Sequence, residues 1–156
     1  MELINGIQTK TRDIIMGYRE GARVYNDANI SIGNGAYTNL TFNSERYDTD
    51  GIHDVGSNTE RLTCQTAGKY MITGSIRWES NSTGVRYVLV ELNGSTTIVQ
   101  QAKGAYTDVM FMSVTTAYDL EVGDYVTLKV FQNSGGSKNI QAIGNYAPEF
   151  SMQRIG

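Results

Sequence analysis

The side chains best suited to chemistry gather in one polar stretch, YDTDGIHD, at residues 47–54. Asp48, Asp50 and Asp54 carry carboxylate oxygens, which are the ligands that Ca²⁺ prefers. Their spacing does not match an EF-hand loop, which needs acidic or amide ligands at alternate positions, a glycine and a distal glutamate. Because Asp and Gly also favour turns, we expect solvated, turn-forming carboxylates. Ca²⁺ is the one cofactor that these residues would suit.

Other residue types that could support catalysis are few. His53 is the only histidine, which excludes a multi-histidine metal site and a histidine-based triad. Glu91 is the one acidic residue inside an apolar strand pattern, but alternation places it outward, so a tuned carboxylate pair for glycoside hydrolysis is not expected. Cys64 is the single cysteine and lies on an apolar face, where we expect a buried thiol. These features predict that the chain is not an enzyme.

Composition excludes two further classes of function. The chain has 156 residues, a formal net charge of −3 and no basic cluster, so binding to nucleic acid through phosphate contacts is not expected. No apolar run approaches the roughly 20 residues of a membrane span, so membrane insertion is not expected either. This length is typical of one domain.

The elements that would position these residues are strands. The clearest is the stretch 61–78, RLTCQTAGKYMITGSIRW, which alternates between apolar and polar residues on both sides of an Ala67-Gly68 break. We expect Tyr70, Ile72 and Trp78 to face a core, and Met71 and Thr73 to face away from it. Further strand patterns recur about every ten residues, and Asn93-Gly94 marks a hairpin turn. This pattern is typical of a β-sandwich or jelly roll.

The strand pattern at 109–114 differs because both of its faces are apolar. Val109 and Phe111 lie on one face, and Met110, Met112 and Val114 lie on the other. A sandwich core covers one face, and exposed apolar area usually marks an interface. We therefore predict a subunit contact here. The alternative is a strand covered on its second face by a long loop or by the N-terminal segment.

Several of these residues resemble one family when taken in order. The stretches FNSERYDTDGIHD and RLTCQTAGKY, the turn LEVGD at 120–124 and the ending FSM at 150–152 resemble the globular head of complement subcomponent q over residues 22–156. The residues of the first two stretches that carry this resemblance are Phe42, Asp48, Leu62, Cys64, Gly68 and Tyr70. There are departures, since Leu62 and His53 stand where the family has aromatic residues, and the family's proline before Gly68 is missing.

The resemblance implies a fold and an assembly. It implies an all-β, ten-stranded jelly-roll β-sandwich of the tumour-necrosis-factor-like superfamily, assembled as a tight homotrimer. The trimer interface is expected to include Met110, Met112, Val114, Tyr146 and Phe150. No collagen-like repeat precedes the domain, and YDTDGIHD, ESNSTG and QNSGG are similar to the version of this domain in bacteriophage and bacterial structural proteins.

The function implied is that of a non-enzymatic structural or attachment module on the surface of a phage virion, such as a fibre, a head-fibre tip or a decoration domain. Residues 1–20 would be a docking or stalk segment that contacts other phage structural proteins, and residues 21–156 would form the head-like domain. Loops at 79–84, 93–96 and 132–139 would face outward and bind a host-surface glycan or protein. Their candidate ligand residues are Asn81, Ser82, Asn133 and Lys138.

Two alternatives remain open. One is a bacterial extracellular or spore-surface recognition domain with the same fold. The other is a carbohydrate-binding or carbohydrate-processing jelly roll.

Overall fold

The computed structural model describes residues 20–156, and all of its regular structure is β. Its twelve strands are β1 (Gly21–Tyr25), β2 (Ile30–Ile32), β3 (Thr38–Asn39), β4 (Ser44–Asp48), β5 (Arg61–Thr63), β6 (Gly68–Trp78), β7 (Asn81–Leu92), β8 (Thr96–Tyr106), β9 (Met110–Leu120), β10 (Tyr125–Gln132), β11 (Lys138–Ile140) and β12 (Glu149–Arg154). Among the described residues, no helix is long and apolar enough to cross a membrane.

The strands form two antiparallel sheets. The first sheet has seven strands in the order β2-β11-β6-β12-β1-β4, with β9 along the other edge of β6. The second has five, in the order β3-β10-β7-β8, with β5 also paired to β10. The inner faces of the two sheets enclose one apolar core, so the jelly-roll β-sandwich is confirmed. The strand count is twelve rather than ten because several short segments, such as β3 and β5, pair at the sheet edges.

Strand β6 lies at the centre of the first sheet, with β9 along one edge and β12 along the other. Its buried and less buried residues alternate along its length, with Tyr70, Ile72 and Trp78 fully buried. This confirms the face assignment made from the sequence. A Cβ added at Gly74 would lie 2.4 Å from a methyl carbon of Leu128 on the opposite sheet, so a glycine permits the two sheets to approach closely here.

The predicted interface face of β9 is wrong, because that face belongs to the core. Met112 and Val114 are 3% and 4% exposed, and Met110 is partly buried against the core. In the β6–β9 register, Met112 pairs with Ile76. Because directly paired residues point to the same side of a sheet, Met112 must follow Ile76 inward.

Phe150 is also wrongly predicted as an interface residue. It is fully buried and stacks on Phe42, with ring centroids 5.8 Å apart. Such a side chain cannot contact another subunit without opening the sandwich.

The domain boundary at residue 20 stays a prediction. The proposed docking segment, residues 1–20, lies outside the described residues apart from Glu20.

Candidate functional site

The outward side of the seven-stranded sheet carries small hydroxyl residues at its centre. Thr73 and Thr115 pair across β6 and β9, and their hydroxyl oxygens are 3.2 Å apart. Ser75 pairs with Ser113 on one side, and Thr73 pairs with Ser151 of β12 on the other. We call Thr73, Ser75, Ser113, Thr115 and Ser151 the hydroxyl face. These short side chains project little from the sheet, so another protein surface can approach the sheet closely.

An exposed aromatic pair borders the hydroxyl face on one side. The ring centroids of Phe111 and Tyr146 are 6.0 Å apart, and each residue is 50% exposed. The Arg77 guanidinium carbon lies 5.5 Å from the centroid of the Phe111 ring. The pair lines a depression of about 280 Å³ together with Ser75 and Ser113. Tyr146 is therefore accessible, as an interface residue must be, and its predicted role stays a prediction.

Charged residues border the other side of the hydroxyl face. Glu149 is 4% exposed and pairs with both Arg23 and Arg46. The Arg46 guanidinium also stacks over the Tyr25 ring, 3.8 Å from its centroid. A buried carboxylate is costly unless it is paired, and two guanidinium groups compensate it here. Arg23 stays 45% exposed at its side chain and keeps donor groups that can reach a partner.

Two of the three predicted ligand loops meet at one end of the sandwich. The Asn133 side-chain oxygen accepts a hydrogen bond from the Val85 backbone N–H at 2.7 Å, which joins the 132–139 loop to the start of β7. Lys138 pairs with Glu79 at 3.4 Å. These polar groups brace the loops, so their candidate role in binding a ligand stays a prediction.

A buried arginine holds the same end of β7. Arg86 donates to the Asn81 side-chain oxygen at 2.9 Å and to the Thr83 carbonyl at 3.1 Å. Burial lowers the pKa of Arg86 below its ordinary value. Asn81 thus holds the loop in place through its bond with the buried Arg86, whereas Ser82 is exposed on the loop surface. The sequence does carry a sign that Arg86 is buried, because strand alternation places it on the same face of β7 as Val88 and Val90.

The third predicted loop, 93–96, lies at the opposite end of β7. Asn93 and Gly94 have φ values of 51° and 71°, as a tight hairpin turn requires. The Asn93 side chain also donates a hydrogen bond to the Asp124 carboxylate at 2.8 Å. The three loops therefore do not form one continuous binding surface.

The acidic loop is braced internally. One Asp48 oxygen accepts the Asp50 N–H at 3.1 Å, and the other accepts the His53 N–H at 2.8 Å. The His53 ring bonds Glu45 at 3.0 Å and the Thr59 carbonyl at 3.2 Å, so both ring nitrogens have partners. Within residues 20–156, no three acidic, histidine or cysteine side chains are grouped to hold a metal. Calcium binding by Asp48, Asp50 and Asp54 therefore stays an untested alternative to the solvated, turn-forming carboxylates that the sequence predicts.

Cys64 and Glu91 also have structural partners. Cys64 is fully buried, its thiol donates to the Thr66 carbonyl at 3.2 Å, and burial raises the pKa of this thiol. Glu91 lies on the outward face of β7, as predicted, but its side chain is only 12% exposed and is paired with Lys129. Neither group lies beside a histidine that could activate it as a nucleophile or an acid.

Phe111 and the Arg23–Glu149 pair were missed by the sequence interpretation. Phe111 sits between Met110 and Met112, so local sequence gave no sign of which face points outward. The pairing of Glu149 with Arg23 and Arg46 depends on contacts between residues more than 100 positions apart in the chain. No short-range pattern encodes such contacts.

Comparisons with known proteins identify the fold. No family model matches the chain, and a search of curated proteins finds no similar sequence. Among solved structures, murine APRIL superposes with a TM-score of 0.65 at 10% identity, covering 86% of this chain and 97% of that one. The globular domain of zebrafish complement 1qA protein gives 0.62 at 16% identity, covering 88% and 97%. Eiger TNF from S. frugiperda gives 0.60 at 13% identity, covering 88% and 92%. The chain therefore has the jelly-roll fold that the tumour-necrosis-factor proteins share with the complement globular heads.

Proposed function

We propose that this chain is a non-enzymatic, homotrimeric structural or attachment module of a bacteriophage particle, such as a fibre, a head-fibre tip or a decoration domain. In this role it lies on the virion surface and binds a host-surface molecule. Residues 1–20 connect it to other structural proteins of the particle. The resemblance of YDTDGIHD, ESNSTG and QNSGG to phage and bacterial structural proteins supports the phage assignment.

The outward side of the seven-stranded sheet is the observation that carries the trimer proposal. The hydroxyl face has an exposed aromatic pair, Phe111 and Tyr146, on one side and the charged group around Glu149 on the other. Because the two borders differ in chemistry, the surface suits a head-to-tail contact between different edges of neighbouring subunits. Head-to-tail contacts form a closed ring when the rotation from one subunit to the next returns to the first subunit. Three subunits make the smallest head-to-tail ring.

The interface in this proposal therefore differs from the one predicted from sequence. It uses Phe111 and Tyr146 with the hydroxyl face, in place of the buried Met112, Val114 and Phe150. Burying exposed aromatic side chains provides the apolar stabilisation that an interface core needs.

The first experiment measures oligomeric mass by size-exclusion chromatography with light scattering. We expect a particle of three times the 17.2 kDa chain mass at micromolar concentration. A stable monomer would contradict the trimer. The phage assignment is tested separately, by mass spectrometry of virions purified from the source culture, where peptides of this chain should co-purify with capsid or tail proteins. Their absence from intact virions would contradict a virion role.

A further inference from the structure

The five-stranded sheet carries a group of three aromatic rings on its outward side. Tyr37, Tyr87 and Phe131 contact one another, with ring centroids separated by 4.9 Å for Tyr37–Phe131, 5.6 Å for Tyr87–Phe131 and 6.3 Å for Tyr37–Tyr87. Tyr37 is 53% exposed, whereas the other two are half-buried. We call these three residues the aromatic platform. Mutual packing already restrains the rings. A ligand that stacks on Tyr37 therefore pays little conformational entropy for fixing these side chains.

A depression of about 210 Å³ adjoins the aromatic platform. It is bounded by Tyr37 and contains the ion pair between Glu91 and Lys129. The side chains of Glu91 and Lys129 are only 12% and 19% exposed, although they lie on the outward face of the sheet. The remaining residues that line the depression are Leu89, Thr97 and Gln100.

The polar groups of this depression have unused hydrogen-bonding capacity. A carboxylate can accept about four hydrogen bonds and an ammonium group can donate three. Within residues 20–156, the hydrogen bond between Lys129 and Glu91 is the one that each of these side chains makes. Glu91 can thus accept further hydrogen bonds from a ligand, and the neighbouring Lys129 can donate further hydrogen bonds to it. Thr97 and Gln100 are exposed at the rim and add a hydroxyl and an amide.

Charge selects among the ligands that such a site could hold. The two ionic groups that line the depression, Glu91 and Lys129, cancel in net charge, so neither an anion nor a cation gains an overall electrostatic attraction. An anion that contacts Lys129 would lie about as close to Glu91, which would repel it. A neutral hydroxyl group both donates and accepts, so two neighbouring hydroxyls can bond Glu91 and Lys129 together.

We propose that the aromatic platform and the Glu91–Lys129 depression form a binding site for a neutral saccharide. A pyranose has a flat face of weakly positive C–H groups, which suits the negative face of the Tyr37 ring. Its equatorial hydroxyls then reach Glu91 and Lys129. A few placed polar groups beside an aromatic wall are the usual composition of a small-ligand site.

This inference deepens the proposed attachment role and rests on it for its biological meaning. The saccharide site lies on the opposite sheet from the hydroxyl face, so trimer formation through that face leaves the aromatic platform open to solvent. Glycan recognition would then use a sheet face rather than the predicted loops at Asn81 and Asn133.

The test uses the full chain on an array of neutral and sialylated oligosaccharides, followed by saturation-transfer-difference NMR with the best neutral oligosaccharide. We expect binding to at least one neutral glycan, with transfer to its C–H protons. Tyr37→Ala should weaken that binding about tenfold, because it removes the exposed stacking ring. Tyr106→Ala is the matched control, since Tyr106 is 62% exposed but is not part of the platform. It should leave the affinity unchanged.

Glu91→Gln distinguishes a role of Glu91 in recognising the ligand from a role in the structure alone. The substitution keeps the shape of the side chain but leaves Lys129 with a net positive charge, so sialylated glycans should gain affinity relative to neutral ones. A uniform loss of binding to both classes of glycan would contradict the charge argument. Failure to bind any neutral glycan, or equal affinities for wild type and Tyr37→Ala, would overturn the proposed site.

Light scattering on the same samples distinguishes this inference from the proposed function. A trimer that binds no neutral glycan refutes the saccharide site and leaves the trimeric module intact. A monomer whose glycan binding depends on Tyr37 supports the site and refutes the trimer.

Discussion

The Arg86 guanidinium carbon lies 5.5 Å from the centroid of the Trp78 indole ring, inside the sandwich. Both side chains are almost fully buried, at 1% and 0% exposed. Arg86 bonds the oxygens of Asn81, Thr83 and Val85 at 2.9 to 3.1 Å, and these are neutral acceptors. The charge is therefore stabilised by hydrogen bonds, by the face of an aromatic ring and by the nearby Glu79 carboxylate, which favours the charged form. This arrangement couples the core to the loop at the start of β7.

Arg86→Ala should lower the free energy of unfolding by about 3 kcal/mol, because it leaves a cavity and several buried oxygens without donors. Arg86→Lys should recover only part of this loss, since an ammonium group lacks the planar fork of donors. Guanidinium chloride unfolding at a fixed protomer concentration measures both. Val122→Ala is an exposed control that should change stability by less than about 0.5 kcal/mol, since Val122 is 66% exposed. Equal effects at Arg86 and Val122 would contradict this account.

Ile72→Ala should cost about 2–5 kcal/mol, because Ile72 is fully buried and its truncation opens a cavity. Thr73→Ala should cost much less, since Thr73 lies on the hydroxyl face and loses only its contact with the Thr115 hydroxyl at 3.2 Å. Thermal or denaturant unfolding of the two variants at one protomer concentration compares them. Comparable costs would show that the two faces of β6 are assigned wrongly.

The fold could be predicted from the sequence where one strand face is apolar and the other is polar. Apart from Met71, which is apolar and 39% exposed, the residues of β6 follow this rule, so the alternation of Ile72 and Thr73 indicates which side is buried. Strand β9 does not follow it, because Phe111 is apolar and points outward. There the face is decided by register with β6, which pairs Met112 with Ile76. Register between strands this far apart is a tertiary property that local sequence does not carry.

The candidate sites were harder to predict than the fold. The loops that carry Asn81 and Asn133 could be recognised from their polar composition, but their meeting at one end depends on topology. The aromatic platform combines Tyr37, which precedes β3, with Tyr87 of β7 and Phe131 of β10, and none of the three is marked out by its local sequence. Only the pairing of β7 with β10, which sets Tyr87 opposite Phe131, brings two of these rings together.

Alkaline pH should destabilise the fold through Cys64 and Tyr70. Burial raises the pKa of both groups, and the Tyr70 hydroxyl donates to the Thr66 carbonyl at 2.6 Å. Above the ordinary pKa values of about 8.5 for cysteine and 10 for tyrosine, the unfolded chain releases protons that the folded chain retains. The free energy of unfolding should therefore fall as pH rises above about 9.

The alkaline effect is measured by denaturant unfolding between pH 7 and pH 11. Tyr70→Phe should be less stable than wild type near neutral pH because it loses a hydrogen bond, by about 1 kcal/mol. The gap should narrow as pH rises, because the variant has no phenol to ionise at this position. A gap that stays constant up to pH 11 would contradict a contribution from Tyr70.

Calcium should leave the melting temperature unchanged. The two Asp48 oxygens already accept the N–H groups of Asp50 and His53, and a cation would have to compete with these bonds. Differential scanning fluorimetry in excess EDTA and in millimolar Ca²⁺ provides the comparison. A rise in melting temperature with Ca²⁺ that is lost in Asp48→Asn would instead establish a calcium site in this loop.

Phe111→Glu should convert the proposed trimer into a folded monomer. Phe111 is 50% exposed and lies beside Tyr146 at the border of the hydroxyl face, so the substitution leaves the core unchanged. At a subunit contact, however, it would remove the apolar area of the ring and bury a carboxylate, and taking a carboxylate out of water is costly even beside an arginine such as Arg77. Light scattering gives the mass, and circular dichroism checks that the β structure is retained. Tyr106→Glu, which places the same charge at an exposed position at the end of β8, should stay trimeric. If Phe111→Glu remains a trimer with an unchanged melting temperature, the subunits do not meet through this face.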